Sequence, residues 1–330
     1  MKNLRVGVVG VGYLGTFHAE KYAAIDGIEL AGVVDIVPER AESVAEQYGA
    51  KAFVDYKDLI GLVDAVSIVV PTQLHFPISR DFLKSDVDVL IEKPITETLD
   101  EADALVQLAD SRSRIIQVGH LERFNPAVIA LGEILERPLF IVSERLHIPK
   151  EAKEGEEARG TEVDVVLDLM IHDIDILLSL VKSEVKSIHA LGVPVITSHV
   201  DIANARLVFE NGCVANITAS RISLKNMRKI RIFQKDTYIS VDCANHGMAV
   251  FRKDGKGSSL PIPGVSFESK SFEKADSLKS ELEAFVHSVR SREVPAVSGR
   301  DGRNALGVAL NIIEQIAETT EDFHRRGVSV

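Results

Sequence analysis

Short runs of aliphatic residues alternate with amphipathic stretches of helical length through the first part of the chain. The aliphatic runs predict strands at Val6–Val9, Leu30–Val34, Ala65–Val70, Val87–Ile91 and Ile115–Val118. The stretches between them predict helices at Thr16–Ile25, Pro38–Tyr48, Phe76–Lys84 and Asp100–Ala109. Because the apolar runs are continuous rather than alternating, both faces of the sheet should be covered, as in a parallel sheet flanked by helices. Repeated strand–helix–strand units of this length predict a doubly wound α/β fold.

The pattern changes after about residue 120, where strands follow one another with few helices between them. The predicted strands are Leu139–Leu146, Ser187–Val193, Ile202–Phe209, Val214–Ile222, Arg228–Gln234, Tyr238–Val241 and Met248–Arg252, and the predicted helices are Pro126–Glu136, Val163–Val181, Asp276–Ser291 and Gly302–Thr319. This order predicts a C-terminal α+β domain with a large, mostly antiparallel, open-faced sheet. We place one domain at residues 1–122 and a second at 123–330, whose last helices are free to pack back on the first. The acidic stretch Glu151–Glu162 is interpreted as a solvated loop, with a lid as the alternative.

Composition and charge restrict the class of partner. The 330 residues include 38 Lys and Arg against 49 Asp and Glu, so the formal net charge is −11. An acidic surface repels phosphate backbones, which argues against a nucleic-acid partner. The chain contains no uninterrupted apolar run near the ~18 residues of a membrane span, and its N-terminus lacks a signal-like segment. The two cysteines, Cys213 and Cys243, suit free thiols, so we expect a cytoplasmic protein without a metal site.

A glycine-rich segment follows the first predicted strand and opens the first helix. Gly10, Gly12 and Gly15 fit the pattern G-x-G-x-x-G. In this context the first glycine permits a tight turn, the second lets the backbone approach a pyrophosphate, and the third lets the helix pack on the strand. Asp35 follows the second strand about 20 residues later, where a carboxylate binds the adenosine ribose hydroxyls. The spacing predicts a dinucleotide site that favours NAD over NADP, although Arg40 leaves that preference open.

Two further segments lie at predicted strand ends, the edge at which ligands bind in open α/β sheets. Thr72 and His75 follow the third predicted strand and are candidate cofactor contacts, and Thr72 is equally suited to cap the next helix. Glu92-Lys93-Pro94 follows the fourth. A lysine at this edge can donate to a substrate oxygen and stabilise the charge that develops there. The peptide bond before Pro94 is a candidate for the cis form.

The apolar helix predicted at Val163–Val181 carries a second group of ionisable residues. Asp168 and His172 are four residues apart and face the same side, and Asp175 joins them three residues later. Burying such groups among aliphatic side chains is costly unless they have partners or a task. Histidine titrates near neutral pH, which suits a general base for a hydroxyl proton, and Asp168 can orient its ring. A capping network within the helix is the alternative interpretation.

Together these motifs resemble the glucose–fructose oxidoreductase and inositol dehydrogenase (Gfo/Idh/MocA) family over essentially the whole chain. The matching residues are Gly10–Gly15 with His18, Asp35, Ala65–Pro71 with Thr72 and His75, Glu92–Pro94, Asp168, His172, Asp175 and Gly302–Arg303. The resemblance implies an N-terminal Rossmann domain that binds the cofactor and a C-terminal domain for substrate binding and oligomerisation. It also implies NAD(P) chemistry on sugars or polyols, and a homodimer or homotetramer built through the C-terminal sheet. His18 on its own is interpreted as a packing residue.

The resemblance assigns roles to residues of this chain. His172 takes the hydroxyl proton, Lys93 hydrogen-bonds the same oxygen, and Asp168 orients His172 or a second hydroxyl. An exchange of roles, with Lys93 as the base, stays open. NAD is the expected cofactor. Its predicted contacts are Gly10, Gly12, Tyr13, Leu14, Gly15, Asp35, Pro71, Thr72, His75, Glu92 and Lys93.

Within the family, Gly119–Pro126 and Arg159–Asp173 resemble the branch of UDP-N-acetylglucosamine 3-dehydrogenases. That branch implies oxidation of a nucleotide sugar at its 3-hydroxyl for lipid A biosynthesis. Cations available for the diphosphate are Arg123, Arg145, Arg159, Arg221 and Lys225, and the predicted substrate contacts are Lys93, Arg123, Arg159, Asp168, His172 and Arg221. Two alternatives stay open: an oxidoreductase of polyols, inositol or other carbonyl compounds, and a non-catalytic regulator that senses a nicotinamide cofactor.

Overall fold

The computed structural model describes residues 3–148, 163–253 and 264–325. Its strands, in chain order, are β1 (Leu4–Val9), β2 (Ile28–Val34), β3 (Lys51–Phe53), β4 (Ala65–Ile68), β5 (Asp88–Glu92), β6 (Ile116–Gly119), β7 (Pro138–Leu146), β8 (Val185–Val193), β9 (Ile202–Phe209), β10 (Val214–Ser220), β11 (Met227–Gln234), β12 (Thr237–Asp242), β13 (Gly247–Lys253) and β14 (Val265–Ser271). Its α-helices are α1 (Tyr13–Ala23), α2 (Pro38–Tyr48), α3 (His75–Lys84), α4 (Leu99–Arg112), α5 (Pro126–Ile129), α6 (Ile171–Val181), α7 (Ser277–Ser291) and α8 (Gly299–Arg325).

These elements divide into two compact units. Unit 1 comprises Met1–Phe124 and Asp276–Leu306, and unit 2 comprises Asn125–Ala275 and Gly307–Val330. Helix α7 therefore belongs to unit 1, and α8 begins in unit 1 and ends in unit 2. The division into domains at residue 122, inferred from the sequence, stays a prediction.

Unit 1 is built on a six-stranded sheet in the order β3-β2-β1-β4-β5-β6. All its pairs are parallel, and β1 pairs with both β2 and β4, so the strand order reverses at β1. Ligands bind in open α/β sheets at such a switch point, outside the carboxyl ends of the strands. The doubly wound parallel fold predicted from the apolar runs is confirmed. The prediction lacked only β3, which has three residues.

The strands of unit 1 are buried because helices supply a shared apolar core. Val8 of β1 and Val33 of β2 are fully buried in a cluster that also contains side chains of α1 and α7. Tyr22 of α1 and Phe285 of α7 are among its largest fully buried side chains. Helix α7, which lies far away in the sequence, is therefore a structural part of this unit.

The first turns of α8 also pack within unit 1. A Cβ atom on Gly302 would lie 2.6 Å from the Val118 side chain of β6, so glycine permits this close approach. Arg303 Nε donates to Asp103 Oδ1 of α4 at 2.8 Å. This hydrogen bond raises the pKa of Arg303 and lowers the pKa of Asp103. The Gly302–Arg303 pair of the family resemblance therefore has a packing role here.

Unit 2 is built on an eight-stranded sheet in the order β14-β13-β12-β11-β7-β10-β9-β8. Neighbouring strands are antiparallel except β7 and β10, which pair in parallel. The prediction of a large, mostly antiparallel C-terminal sheet is confirmed. Buried side chains alternate along the strands, as in β9, where Ala203, Ala205 and Leu207 are buried. Among the described helices, none has the length and apolar character needed to cross a bilayer.

Three elements differ from the prediction. The helix predicted at Pro126–Glu136 is instead the four-residue α5 followed by a 3-10 helix at Ala130–Glu133, and Gly132 in this stretch is a poor helix former. Strand β14 was not predicted because its residues are mostly polar and exposed, as is typical of an edge strand. The predicted helix Val163–Val181 begins with a π-helical turn. The predicted acidic loop lies outside the described residues.

Candidate active site

The glycine-rich segment forms a tight turn between β1 and α1. Gly10 has a φ of +85°, and a Cβ atom there would lie 2.3 Å from the Val69 carbonyl oxygen. A Cβ atom on Gly15 would lie 1.8 Å from the Gly10 carbonyl oxygen. At Gly12, in contrast, no described atom outside its chain neighbours lies within 4 Å of an added Cβ. The fold itself therefore needs Gly10 and Gly15, whereas Gly12 borders open space that a pyrophosphate fits.

The start of α1 suits an anion. Gly12 is the N-cap residue, its side chain can offer no capping oxygen, and the first turn contains no acidic residue. The backbone N–H groups of a helix N-terminus carry a partial positive charge that favours phosphate. Tyr13 is 60% exposed and Leu14 is 50% exposed, so both predicted contacts lie at the surface of this turn. Thr16 Oγ1 donates to the Gly12 carbonyl at 2.8 Å and stabilises the turn.

Asp35 lies at the end of β2 and binds the glycine turn directly. Its Oδ2 accepts a hydrogen bond from Val11 N–H at 3.1 Å, and its Oδ1 accepts one from Val37 N–H at 3.0 Å. Arg40 Nη1 lies 3.2 Å from both carboxylate oxygens. Asp35 is buried, and the Arg40 side chain is half exposed. The sequence motif thus brings Gly10–Gly15 and Asp35 together, and Arg40 joins them.

His75 connects two loops at the same sheet edge. Its Nδ1 lies 2.8 Å from the Pro94 carbonyl oxygen, and its Nε2 lies 2.9 Å from the Val70 carbonyl oxygen. Burial lowers the pKa of His75, while its hydrogen bonds to Pro94 and Val70 oppose that shift. The ring is almost fully buried, so its structural role is to join the loop after β4 to the loop after β5. A direct contact between His75 and the cofactor stays a prediction.

Pro71 and Thr72 lie in the loop after β4. Pro71 is exposed and occupies the N-cap position of a 3-10 helix whose first residue is the half-buried Thr72. Thr72 is therefore not the N-cap residue of that helix, and it is not the N-cap residue of α3, which is Leu74. The cofactor contacts predicted for Pro71 and Thr72 stay predictions.

Glu92, Lys93 and Pro94 leave the carboxyl end of β5. The peptide bond between Lys93 and Pro94 is cis, which confirms that prediction. Glu92 and Lys93 are both half-buried. In unit 1, therefore, four features lie at the carboxyl edge of one parallel sheet: the glycine turn, Asp35, His75 and the Glu92–Pro94 loop.

The other predicted catalytic residues lie in unit 2. A π-helical turn, Val166–Met170, precedes α6 and contains Asp168, and His172 is the second residue of α6. Such turns occur frequently at functional sites because an extra residue per turn redirects side chains. Asp168 and His172 are half-buried, whereas Asp173 and Asp175 are buried. The helix therefore separates two partly accessible groups from two buried ones.

Asp173 is part of a buried ion pair that sequence reasoning missed. Its Oδ2 accepts a hydrogen bond from Arg145 Nε of β7 at 2.6 Å, and its Oδ1 accepts one from Ser143 Oγ at 2.8 Å. Arg145 and Asp173 are each 2% exposed. The pair fixes the start of α6 to the sheet, immediately beside His172. The sequence offered no signal for this partnership.

The structure places the predicted diphosphate-binding cations in different settings. Arg123 is in unit 1 with its guanidinium 3.7 Å from Asp301 Oδ1. Arg221 is buried in unit 2 and donates to the Val163 carbonyl oxygen. Lys225 is exposed, and Arg159 lies outside the described residues. Their contacts with substrate stay predictions. Within the described ranges, no group of three His, Cys, Asp or Glu residues could hold a metal ion.

Comparison with known proteins identifies the family to which this chain is similar. The model of an oxidoreductase family with an NAD-binding Rossmann fold (GFO/IDH/MocA) matches residues 4–120, and the model of the GFO/IDH/MocA C-terminal domain matches residues 139–240. A UDP-N-acetylglucosamine 3-dehydrogenase from Acidithiobacillus ferrooxidans is 39% identical over 94% of this chain and 97% of its own. The chain belongs to the GFO/IDH/MocA family. Membership confirms the prediction of an oxidoreductase that uses a nicotinamide cofactor.

Other relatives agree with this assignment. A myo-inositol 2-dehydrogenase from Thermotoga maritima is 28% identical over 92% of this chain and 93% of its own. Among solved structures, the UDP-N-acetylglucosamine 3-dehydrogenase GnnA of Acidithiobacillus ferrooxidans matches with a TM-score of 0.89 and 38% identity, covering 96% of this chain and 98% of that chain. Family similarity therefore extends through both units, and the relatives differ in the alcohol that their names specify.

Proposed function

We propose that this protein oxidises the 3-hydroxyl of UDP-N-acetylglucosamine to a ketone with NAD as the hydride acceptor. The observation that carries the proposal is the 39% identity to a UDP-N-acetylglucosamine 3-dehydrogenase, which covers nearly all of both chains. The relative named for myo-inositol is 28% identical over a similar share. Lipid A precursor synthesis and a cytoplasmic location belong to the same proposal, and the two buried free cysteines are compatible with a reducing compartment.

The residues of unit 1 suit NAD. The glycine turn and the N-terminus of α1 would hold the pyrophosphate, and Asp35 would bind the adenosine ribose hydroxyls. When bound, NAD supplies the site that accepts a hydride from the carbinol carbon. The buried carboxylate of Asp35 also disfavours the 2′-phosphate of NADP. Arg40 is already held by Asp35, with Nη1 at 3.2 Å from both oxygens.

Cofactor preference is tested by Asp35→Ser. The substitution removes the negative charge and releases Arg40 for a 2′-phosphate, so the ratio of NADP to NAD affinity should increase. Asp35→Ser combined with Arg40→Ala is the control, because it lacks the released cation. Titration of NADH and NADPH fluorescence measures both affinities. Tighter binding of NADP than NAD by the unaltered protein would contradict the proposed preference.

Lys93 and His172 have different roles in the oxidation of the alcohol: His172 accepts a proton, and Lys93 donates a hydrogen bond. His172 would take the hydroxyl proton and bound NAD would accept the hydride from the carbinol carbon, which leaves a ketone, NADH and one proton on the protein. Lys93 donates a hydrogen bond to the same oxygen and stabilises the negative charge that develops on it. Asp168 orients His172 or a second substrate hydroxyl. The half-buried state of Lys93, Asp168 and His172 supports these roles, because each retains partial access to ligand.

The catalytic roles are tested by Lys93→Met and His172→Ala. Each should reduce kcat by about 100-fold or more, the effect of losing an acid–base or oxyanion partner, while NADH binding persists. Exposed residues supply matched controls: Lys84→Met on α3 and His287→Ala on α7. If Lys93→Met keeps wild-type kcat, the role proposed for Lys93 is wrong.

The substrate requires cations for its diphosphate, which Arg123, Arg159, Arg221 and Lys225 are proposed to supply. Because this protein carries a net charge of −11, binding a dianionic group demands local positive charge. Affinity should then decrease with added salt, and UDP alone should compete. NADH formation is monitored in parallel with UDP-N-acetylglucosamine, UDP-glucose and inositol. Turnover of inositol without any UDP-sugar would move the protein to the polyol dehydrogenases, and absence of turnover would favour a regulator.

We also propose that the protein forms a homodimer or homotetramer through the sheet of unit 2. Five aromatic side chains face one another across β7, β11, β12, β13 and β14, with ring centroids 4.8 to 5.8 Å apart, namely Phe140, Phe233, Tyr238, Phe251 and Phe267. Phe233 and Phe267 are 38% and 40% exposed, so the ladder lies on a partly solvated face. A second copy would bury it. Light scattering of wild type and Phe233→Asp measures the assembly.

A further inference from the structure

Glu92, the residue before Lys93, has its carboxylate held by His18 of α1 and by the backbone N–H of Lys93. His18 Nε2 of α1 lies 3.2 Å from Glu92 Oε1. Lys93 N–H donates to Glu92 Oε2 at 3.3 Å. Gly119 pairs with Glu92 across β5 and β6, and a Cβ atom on Gly119 would lie 2.9 Å from Oε2. The carboxylate therefore occupies a defined position beside the backbone of Lys93, and the absence of a side chain at Gly119 makes room for it.

The charge of Glu92 follows from these contacts. Burial opposes its ionisation, but the hydrogen bond from His18 and the positive charges of His18 and Lys93 outweigh burial and lower the pKa of Glu92. His18 is 1% exposed, and its Nδ1 makes no hydrogen bond to a described residue. Because a carboxylate only accepts hydrogen bonds, His18 Nε2 is the donor in its contact with Glu92. His75 is the other titratable group affected by Glu92, whose charge acts to raise its pKa.

We propose that Glu92 is a positioning residue for Lys93, and that His18 fixes the Glu92 carboxylate for this purpose. The Glu92 carboxylate attracts the positive charge of Lys93, the group that donates to a substrate oxygen. The hydrogen bond from Lys93 N–H fixes the backbone from which the lysine side chain extends. This inference depends on the proposed function, because it assigns to Glu92 and His18 an effect exerted through Lys93.

Glu92→Gln tests the charge. The variant keeps the size of the side chain and removes the negative charge that attracts Lys93. We expect kcat to decrease about tenfold, with NADH affinity and substrate KM nearly unchanged, because Lys93 acts on charge that develops only in the transition state. Glu283→Gln, on the exposed side of α7, is the matched control.

Substitutions at two further positions, His18 and Gly119, separate position from charge. His18→Gln retains an amide N–H near the position of Nε2 and should keep most of the activity, whereas His18→Leu lacks the donor and should behave like Glu92→Gln. Gly119→Ala retains every charge but displaces the Glu92 carboxylate, which is the end of a flexible side chain. It should therefore lower kcat without a large change in Tm.

The outcomes distinguish this inference from the proposed function. All variants are measured with NAD and UDP-N-acetylglucosamine, with NADH affinity and Tm alongside. If Lys93→Met keeps full turnover, the role of Lys93 fails and this inference fails with it. If Lys93→Met loses turnover but Glu92→Gln keeps the wild-type kcat, only the positioning role of Glu92 is refuted. A loss of NADH affinity or an increase in KM that accounts for the whole loss of turnover in Glu92→Gln also refutes it.

Discussion

Replacing Gly12 by alanine separates the cofactor-binding role of the glycine turn from its role in folding. Gly12 has a φ of −67°, outside the left-handed region that favours glycine. No described atom outside its chain neighbours lies within 4 Å of the added Cβ. The substitution therefore creates no clash in the protein, and the gain of about 0.4–1 kcal/mol from the lower entropy of the unfolded chain is offset by the poorer N-cap that alanine makes for α1. Its Tm should be close to that of the wild type.

Cofactor binding, in contrast, should be weakened. The added methyl group occupies the space through which the pyrophosphate approaches the backbone. An overpacked contact costs about 1–3 kcal/mol, which corresponds to roughly 5- to 150-fold weaker NADH binding. Titration of NADH fluorescence gives the dissociation constant, and thermal unfolding without cofactor gives the stability of the same preparation. Wild-type NADH affinity in Gly12→Ala would refute the proposed path of the pyrophosphate.

Gly15→Ala is the matched control for this experiment. Its Cβ would lie 1.8 Å from the Gly10 carbonyl oxygen, and both atoms belong to a backbone that cannot rotate away. Relief requires α1 and the turn to separate by roughly 1 Å, and overpacking of this kind costs about 1–3 kcal/mol or more in stability. Gly15→Ala should therefore have a lower Tm than the wild type, whereas Gly12→Ala should not. Equal Tm values for the two variants would contradict the geometry of the turn.

Three other predictions concern buried polar groups. Asp173→Asn leaves the buried Arg145 without its counter-charge and should lower the free energy of unfolding by about 3 kcal/mol. The backbone N–H donors of residues 195–197 overcome the burial of Asp201 and lower its pKa. Its stabilisation is present above about pH 4 and is lost as pH falls through the folded-state pKa. Burial lowers the pKa of His75, so stability should decrease as pH falls below about 6.5.

Each of these predictions has a distinct measurement. Urea denaturation of Asp173→Asn at pH 7 should reveal a lower midpoint, and an unchanged midpoint would contradict a stabilising ion pair. In acid unfolding, the free energy of unfolding of Asp201→Asn should depend less steeply on pH near 4 than that of the wild type. His75→Gln should reduce the dependence of Tm on pH below about 6.5. If Tm depends on pH equally in wild type and His75→Gln, His75 is not the cause of that dependence.

The sequence predicts most elements because local chemistry and tertiary burial agree in them. Helix α2 has the predicted bounds, since Pro38 occupies its first turn and Gly49 ends it with a φ of +71°. Strand β9 also has the predicted bounds, because its apolar and polar residues alternate. β14 lacks such a pattern, because most of its side chains are exposed, and only pairing with β13 makes it a strand. Tertiary pairing therefore decides the elements that local pattern does not.

The cofactor-binding half of the site could be predicted because it depends on the backbone geometry of a short sequence motif. Gly10 is required by its close approach to Val69 and Gly15 by its close approach to Gly10, and Asp35 binds the N–H of Val11 inside the motif itself. His18 was interpreted as packing, and it does pack, but it also binds Glu92, which lies 74 residues away in the sequence. Spacing along the chain identifies motifs formed by neighbouring residues, whereas a hydrogen bond between α1 and the end of β5 depends on the order of strands in the sheet.

The helix in unit 2 illustrates the same limit for charged groups. Its pattern correctly indicates that ionisable residues among aliphatic ones need a partner or a task. The structure divides them by helical position: Asp168 and His172 are half-buried, while Asp173 is buried against Arg145, which lies 28 residues earlier on β7. From the sequence, Arg145 was equally suited to a diphosphate. Because a buried carboxylate without a counter-charge is strongly destabilising, the ion pair accounts for Arg145 within the fold, and it holds the helix start on which His172 lies.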